Sequence, residues 1–361
     1  MIELPRTLIS FAIVLGVLVF FHELGHYLAA RWAGIKVEVF SIGFGPKLIG
    51  WTDRSGTEWQ ICILPLGGYV KMHGMEQPQD VPEEERAGWH PGKTFQGKSV
   101  AARSVVVAAG PVANFILAIV LFFGLFVVVG RAYTKPEVLE LVRGGAAAAA
   151  GVHPGDLITA IDGKSITRFE QLQRVVSASA GKRLMFSIKR KDETLQVPIV
   201  PVATGGSGLI GIEVGNVSFE HIPPAEALVA AVTQTYDIAR DELVGIGKIF
   251  TGADSASELT GTIGIAQLSG EESKLGLPNF IEFIAFVSVN LGLINLFPIP
   301  VLDGGHLLFF AAEAARGKPL SPRIHSYALY LGLSLIAALM LLGVHNDLGR
   351  LGLFHWASRF F

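Results

Sequence analysis

His22 and His26 stand four positions apart, with Glu23 beside the first, in the stretch FFHELGHYLAARWAG over residues 20–34. On a helix that spacing is about one turn, so both imidazoles project from one face. Two ring nitrogens so placed can hold one zinc ion, and the carboxylate between them can take a proton from an attacking water. The motif alone is weak, because so short a pattern recurs by chance. Two other readings stay open at this point. A signal peptide would account for Arg6, the apolar stretch 8–21 and the small residues Ala29 and Ala30. Against it, Glu3 spoils the basic end and HELGH interrupts the approach to a cleavage site. The other reading leaves the histidines as residues of a helix end at a membrane interface.

A catalytic zinc needs a third protein ligand and one position left for water. Asp303, in NLFPIPVLDGGH over residues 295–306, is the candidate. Whether it can meet the histidines depends on the elements that carry them. Four apolar segments stand out, 8–30, 105–129, 280–302 and 327–344. Each can cross a hydrocarbon core of about 30 Å at roughly 1.5 Å per helical residue. Only helices satisfy their own backbone in lipid, so four spanning helices are predicted.

Orientation follows from Lys and Arg in the loops. Residues 31–103 carry nine, and the loop between the third and fourth segments carries Arg316, Lys318 and Arg323. The N-terminal tail has only Arg6, and the C-terminal tail has Arg350 and Arg359. Both termini are therefore expected outside the cytoplasm, with the long segment 131–279 outside as well. The first and third helices then both run inward, which puts Asp303 at the depth of His22 and His26. Pro298 and Pro300 break the third helix just before it. Broken backbone at that depth belongs in a protein interior or a wet cavity, and an intramembrane carboxylate points to function. The alternative for Asp303, a cap on a helix that starts at Gly304, is compatible with ligation.

Composition agrees with a membrane protein that carries a soluble part. Of 361 residues, 50% are hydrophobic and 17% charged, and the mean hydropathy is +0.48. The formal net charge of −2 provides no basic field for nucleic acid. A single cysteine, Cys62, excludes an internal disulfide framework and a Cys-rich zinc site.

Within the outer segment, residues 136–215 read as short strands around one helix near 168–180, with Gly-Asp and Asp-Gly turns. The run VHPGDLITAIDGKSI resembles the PDZ family as it occurs in bacterial proteases. That likeness implies a groove for a peptide C-terminus between GSGLIGIEV, residues 206–214, and the helix. Residues 223–250 read as an amphipathic helix at the membrane interface. In the first loop, VEVFSIGFGPKLIGW and TEWQICILPLGGYVKM read as paired strands near the membrane surface. Residues 76–98, with Pro78, Pro82 and Pro91, read as a flexible loop.

HELGHYLAAR, the following GFGP, GPVAN in the second helix and NLFPIPVLDGG in the third together resemble the bacterial site-2 protease family of intramembrane zinc metalloproteases. The resemblance covers nearly the whole chain and implies the following. His22, His26 and Asp303 hold Zn2+, and Glu23 is the general base. Asn295, Gly67, Gly68 and Tyr69 contact substrate, the last three on a membrane-dipping hairpin. Gly110, Pro111 and Asn114 shape a wall beside the site, chiefly by packing, and His306 lies next to the metal ligands. Substrates are single-pass membrane proteins, such as anti-sigma factors or signal peptide remnants, cut in the bilayer after another protease trims them.

The expected fold is a polytopic α-helical membrane protein with four transmembrane helices, a cytoplasmic-side β-hairpin region and an inserted extracytoplasmic α+β PDZ domain. The expected parts are 1–130, 131–216 for the PDZ domain, 217–279 for an amphipathic helical linker, and 280–361. The expected location is the inner membrane of a bacterium. The chain departs from family members with two PDZ domains, since one module is found. A non-catalytic PDZ-bearing adaptor with a structural metal is the rival reading. Glu23 argues against it, because a structural site has no need of that carboxylate.

Overall fold

The computed structural model describes residues 3–76, 81–90, 92–204, 207–215, 217–252 and 260–350. Pro78, Pro91, Gly206 and Arg359, which figure in the sequence reading, lie outside them. In chain order the first elements are α1 (Glu3–Trp32), β1 (Val37–Thr52), β2 (Glu58–Met72), α2 (Glu83–Ala87) and α3 (Val100–Val128). Next come β3 (Arg131–Thr134), β4 (Val138–Leu141), α4 (Ala146–Ala149), β5 (Leu157–Ile161), β6 (Lys164–Ser165) and α5 (Phe169–Ser177). Then follow β7 (Leu184–Arg190), β8 (Glu193–Ile199), β9 (Val202–Thr204), β10 (Ser207–Leu209), β11 (Ile212–Val214) and β12 (Val217–Glu220). The chain closes with α6 (Pro224–Thr251), α7 (Thr262–Leu275), α8 (Leu277–Asn295), α9 (Asp303–Arg316) and α10 (Pro322–Arg350). Two compact units result, Met1–Gly124 with Leu228–Phe361, and Leu125–Ala227.

In the first unit, α1, α3, α8 and α10 are long and apolar enough to cross a membrane. The buried positions of α1, Ser10, Val14, Leu18, Gly25, His26 and Ala30, recur at about one or two turns and form a stripe. Val14 and Leu18 pack with Leu117 of α3 and Ile284 of α8. At the histidines the helices come closer. A Cβ on Gly25 would strike the Ala109 carbonyl of α3, and a Cβ on Gly110 would strike the His26 ring. Small residues on both helices thus permit the contact, as they do in membrane bundles.

The third apolar segment does not stay helical through residue 302. α8 stops at Asn295, and the backbone through Pro298 and Pro300 is irregular before α9 begins at Asp303. Val301 takes φ +95°, which a β-branched side chain strongly disfavours, so the segment leading into Asp303 is strained. The sequence reading missed α7, because 217–279 reads as one linker, and it took the residues of α2 and α9 as loop. α7 lies along α1, and Lys274 pairs with Glu3. Its start is held by another helix, since Asp347 of α10, 2% exposed, accepts from the Gly261 and Gly264 amides at 3.0 and 2.9 Å.

β1 and β2 fold into more than a simple hairpin. Residues 39–42 pair with 68–71 on one side and 58–61 on the other, while 47–52 pair with 58–62. The spatial order is therefore 47–52, 58–62, 37–42, 68–72. Val37, Phe40, Val70 and Met72 share one core with Ala30 of α1, Val106 of α3 and Phe310 of α9. The connecting turn is built on Asp53. Burial by itself would raise the Asp53 pKa, but donors from Ser55, Trp59 and the Thr57 amide hold its carboxyl well below the usual range. Residues 92–98 correct the flexible-loop expectation in part. Phe95 is 3% exposed and its amide donates to the His73 carbonyl at 2.8 Å, so this stretch packs on the sheet.

The second unit centres on an antiparallel sheet ordered β6-β5-β7-β8, with the pairs β9–β10, β4–β11 and β3–β12 beside it. Ile158, Ile161, Phe186 and Ile188 form its core with Leu172 and Val176 of α5. Asp156, in the HPGD turn, is fully buried and takes Arg190 Nε and Nη2 at 2.8 Å each, plus the His153 amide at 2.9 Å. The Arg190 hydrogen bond draws the Asp156 pKa down. A small groove of about 100 Å³ lies between α5 and residues 208–212, lined by Leu172, Val176, Ile210 and Ile212.

Candidate metal centre

Three helices meet at one point. α1 brings His22, Glu23 and His26, α9 brings Asp303 as its first residue, and α3 passes alongside with Val106 and Asn114. His22 Nε2 lies 3.2 Å from His26 Nε2. Asp303 Oδ2 lies 3.2 Å from His22 Nε2 and 3.5 Å from His26 Nε2. All three ligand atoms fall within 4.8 Å of one another. Asp303 is the first residue of α9, whose N-cap position is Leu302.

The polar bookkeeping of this point is incomplete without a cation. The Val106 carbonyl can only accept, so His26 Nδ1 donates to it at 2.9 Å, which in the neutral ring leaves a lone pair on Nε2. Asp303 Oδ2 is buried and accepts no hydrogen bond among the described residues. Buried acceptors that face one another without a proton between them are costly. Two imidazole nitrogens and a carboxylate oxygen are also the donor types of a catalytic zinc site. The residues present therefore fit zinc.

The position of Asp303 is braced from the far end of its helix. Glu313 of α9 takes Arg103 of α3 in a two-pronged pair at 2.6 and 3.2 Å, and the Arg103 guanidinium lies 4.9 Å from the Phe310 ring centre. Both side chains are largely buried, so this pair clamps α9 against α3. Asn114, fully buried, sets its amide 3.2 Å from His22 Nδ1. The sequence reading treats Asn114 as packing; its side chain in fact touches a site histidine. A polar residue inside the apolar run 105–129 was the available signal.

The residues that the resemblance assigns to substrate separate. Gly68 lies against α1, where a Cβ would sit 2.7 Å from Val19 Cγ1 and 3.0 Å from Glu23 Cγ. Gly67, at φ +141°, faces Phe44 instead. Tyr69 stacks on Phe44 with ring centres 6.2 Å apart, and its hydroxyl accepts from Gln60 at 2.9 Å. Asn295 is half-buried at the end of α8, and its side chain makes no hydrogen bond among the described residues. His306 lines a separate cavity of about 370 Å³ with Arg103, Glu313 and His325, and its ring lies 6.4 Å from that of His325. Gly68→Ala is expected to lower kcat/KM roughly tenfold, a fraction of what a full 1 Å misplacement can cost, with bound zinc unchanged. Wild-type kcat/KM in this variant would remove Gly68 from the positioning of Glu23.

Residues 10–339 match the profile of Peptidase family M50. The chain belongs to that family. A Rhizobium meliloti protein named as a zinc metalloprotease is 41% identical over 97% of this chain and 98% of its own length. Metalloprotease MmpA of Caulobacter vibrioides is 35% identical, over 98% of each chain. Regulator of sigma-E protease RseP of Escherichia coli is 31% identical, over 95% of this chain and 98% of its own. That last alignment runs over 449 positions, more than the 361 residues here, so RseP carries residues that this chain lacks. A solved PDZ domain from an SdrC-like protein of Listeria monocytogenes matches 23% of the chain, with 88% of its own length covered, 27% identity and a TM-score of 0.21. As an M50 peptidase of the site-2 type, the chain is a metalloprotease whose metal is zinc. With four helices of membrane-crossing length it is a multi-pass membrane protein.

Proposed function

We propose that this M50 peptidase cuts peptide bonds within or beside the transmembrane segment of single-pass membrane proteins, with zinc held by His22, His26 and Asp303. The observation that carries the proposal is the meeting of two Nε2 atoms and an orphaned Asp303 Oδ2, from α1 and α9, within 4.8 Å. Zinc bound there supplies Lewis-acid chemistry to water and to the scissile carbonyl. Glu23 takes the proton of the attacking water and passes it to the leaving nitrogen. Asn295 holds the unwound substrate backbone, which finds no partners in lipid. Residues 68–72 pair only with β1 among the described residues, and their other edge offers strand addition beside Glu23.

The substrates in this reading are anti-sigma factors or signal peptide remnants already trimmed by another protease. The protein lies in the inner membrane, with the metal site toward the cytoplasm and the PDZ module outside. The module acts as a size filter for untrimmed substrates; the smallness of the groove beside α5 favours this over capture of a peptide C-terminus.

The test is cleavage of a single-pass substrate, full-length and trimmed, by the purified chain in liposomes. A cut inside the membrane segment of the trimmed form is expected, lost with a chelator and restored by zinc. Cuts confined to the soluble part, or indifferent to chelator, would overturn the proposal. Sidedness has its own test in a Cys62→Ser background. On intact cells an impermeant thiol reagent should label Ser165→Cys and spare Arg54→Cys, and the opposite pattern would invert the orientation.

A further inference from the structure

We propose that Asn114 is a positioning residue that fixes the tautomer of His22, by accepting a hydrogen bond at Oδ1 from His22 Nδ1–H. The inference rests on the reading of His22 as a zinc ligand. A neutral imidazole has one protonated nitrogen and one lone pair. His22 Nε2 is the nitrogen that faces His26 Nε2 and Asp303 Oδ2, each at 3.2 Å. To hold a cation it needs its lone pair, so the ring proton must sit on Nδ1. His26 meets the same requirement through the Val106 carbonyl, 2.9 Å from its Nδ1. His22 Nδ1 faces instead the Asn114 amide, at 3.2 Å.

As placed, Asn114 turns Nδ2 toward that ring nitrogen, and Oδ1 is buried without a partner. That arrangement sets a donor against the nitrogen that has to donate. A half-turn of the amide about its last bond exchanges two ends of nearly equal size. Oδ1 then accepts from Nδ1–H, His22 Nε2 is left free for metal, and Nδ2 takes the position at which Oδ1 has no partner. The surroundings keep the amide at this post. Asn114 is fully buried, its own carbonyl accepts from Ser288 Oγ at 2.8 Å, and α3 is pressed onto α1 one turn away where Gly110 meets His26. Partners of this kind orient metal-bound histidines and raise their basicity. Leucine keeps the branched outline of asparagine, at a larger volume, and offers no acceptor.

The experiment measures zinc affinity by chelator competition on the purified full chain in detergent, for wild type, Asn114→Leu, Asn114→Asp and His22→Ala. Asn114→Leu should bind zinc about 10–100-fold more weakly. Asn114→Asp, whose carboxylate can only accept, should bind at least as tightly as wild type. His22→Ala should lose more than Asn114→Leu. Wild-type affinity in Asn114→Leu, alongside a loss in His22→Ala, would overturn the positioning role alone. Unchanged affinity in His22→Ala would overturn the ligand reading itself. If Asn114→Leu does not fold, Asn114→Asp decides, because weak zinc binding by a folded Asp variant contradicts the proposal.

Discussion

Glu23→Gln is expected to lower kcat by about 10⁴-fold, the upper range for a lost general base, while bound zinc stays at the wild-type level. The reason lies in the division of labour along α1. His22 and His26 turn their Nε2 atoms toward each other and toward Asp303, and Glu23 is not part of that cluster. Gln keeps the shape of the side chain, so the tight approach of Gly68 to Val19 and Glu23 is preserved. What it lacks is a carboxylate that can take the water proton. Metal content and substrate cleavage should be read on the same purified sample. Full zinc occupancy with retained cleavage would remove Glu23 from the chemistry, and loss of zinc would make it a ligand.

Asp303→Ala is expected to weaken zinc binding by well over about 100-fold, the upper end of what outer partners of a metal ligand contribute. It leaves only two imidazoles on one helix, and activity should fall with the metal. The effect should be local, because α9 remains tied to α3 through Arg103 and Glu313. Asn295→Ala provides the contrast. Its side chain stands at the end of α8 outside the ligand cluster, so zinc should stay and the loss should appear in KM. Chelator competition on both variants separates the roles. Wild-type zinc affinity in Asp303→Ala would point to a different third ligand, and zinc loss in Asn295→Ala would contradict its assignment to substrate.

Local pattern in the sequence was enough for most of the elements and for placing His22 and His26 on one face of α1. A four-residue spacing on a helix puts His22 and His26 on one face whatever surrounds it. Apolar runs of sufficient length name four helices long and apolar enough to cross a membrane, and Gly-Asp and Asp-Gly steps punctuate the strands of the inserted module. Hydropathy is weaker where a helix is short or mixed in character. α7 carries Glu271, Glu272 and Lys274 and reads as linker, yet it packs along α1, and Asp347 of α10 accepts from the amides at its start. Residues 92–98 read as loop because their partners, His73 and Lys36, lie elsewhere in the chain.

Only the tertiary structure decided what completes the centre. Periodicity reports which face of a helix is buried, and says nothing of the atoms it is buried against. The Val106 carbonyl on His26, the Asn114 amide on His22 and the Arg103–Glu313 clamp behind Asp303 all join residues distant in sequence. The double pairing of residues 39–42 in β1 is equally invisible to an alternating pattern, since a strand with two neighbours alternates just as a strand with one. Asp303 itself shows the division most plainly. Its residue type and the prolines before it could be read from the chain, but its carboxylate becomes a candidate ligand only because three helices bring its buried Oδ2 atom, which accepts no hydrogen bond among the described residues, to 3.2 and 3.5 Å from two ring nitrogens.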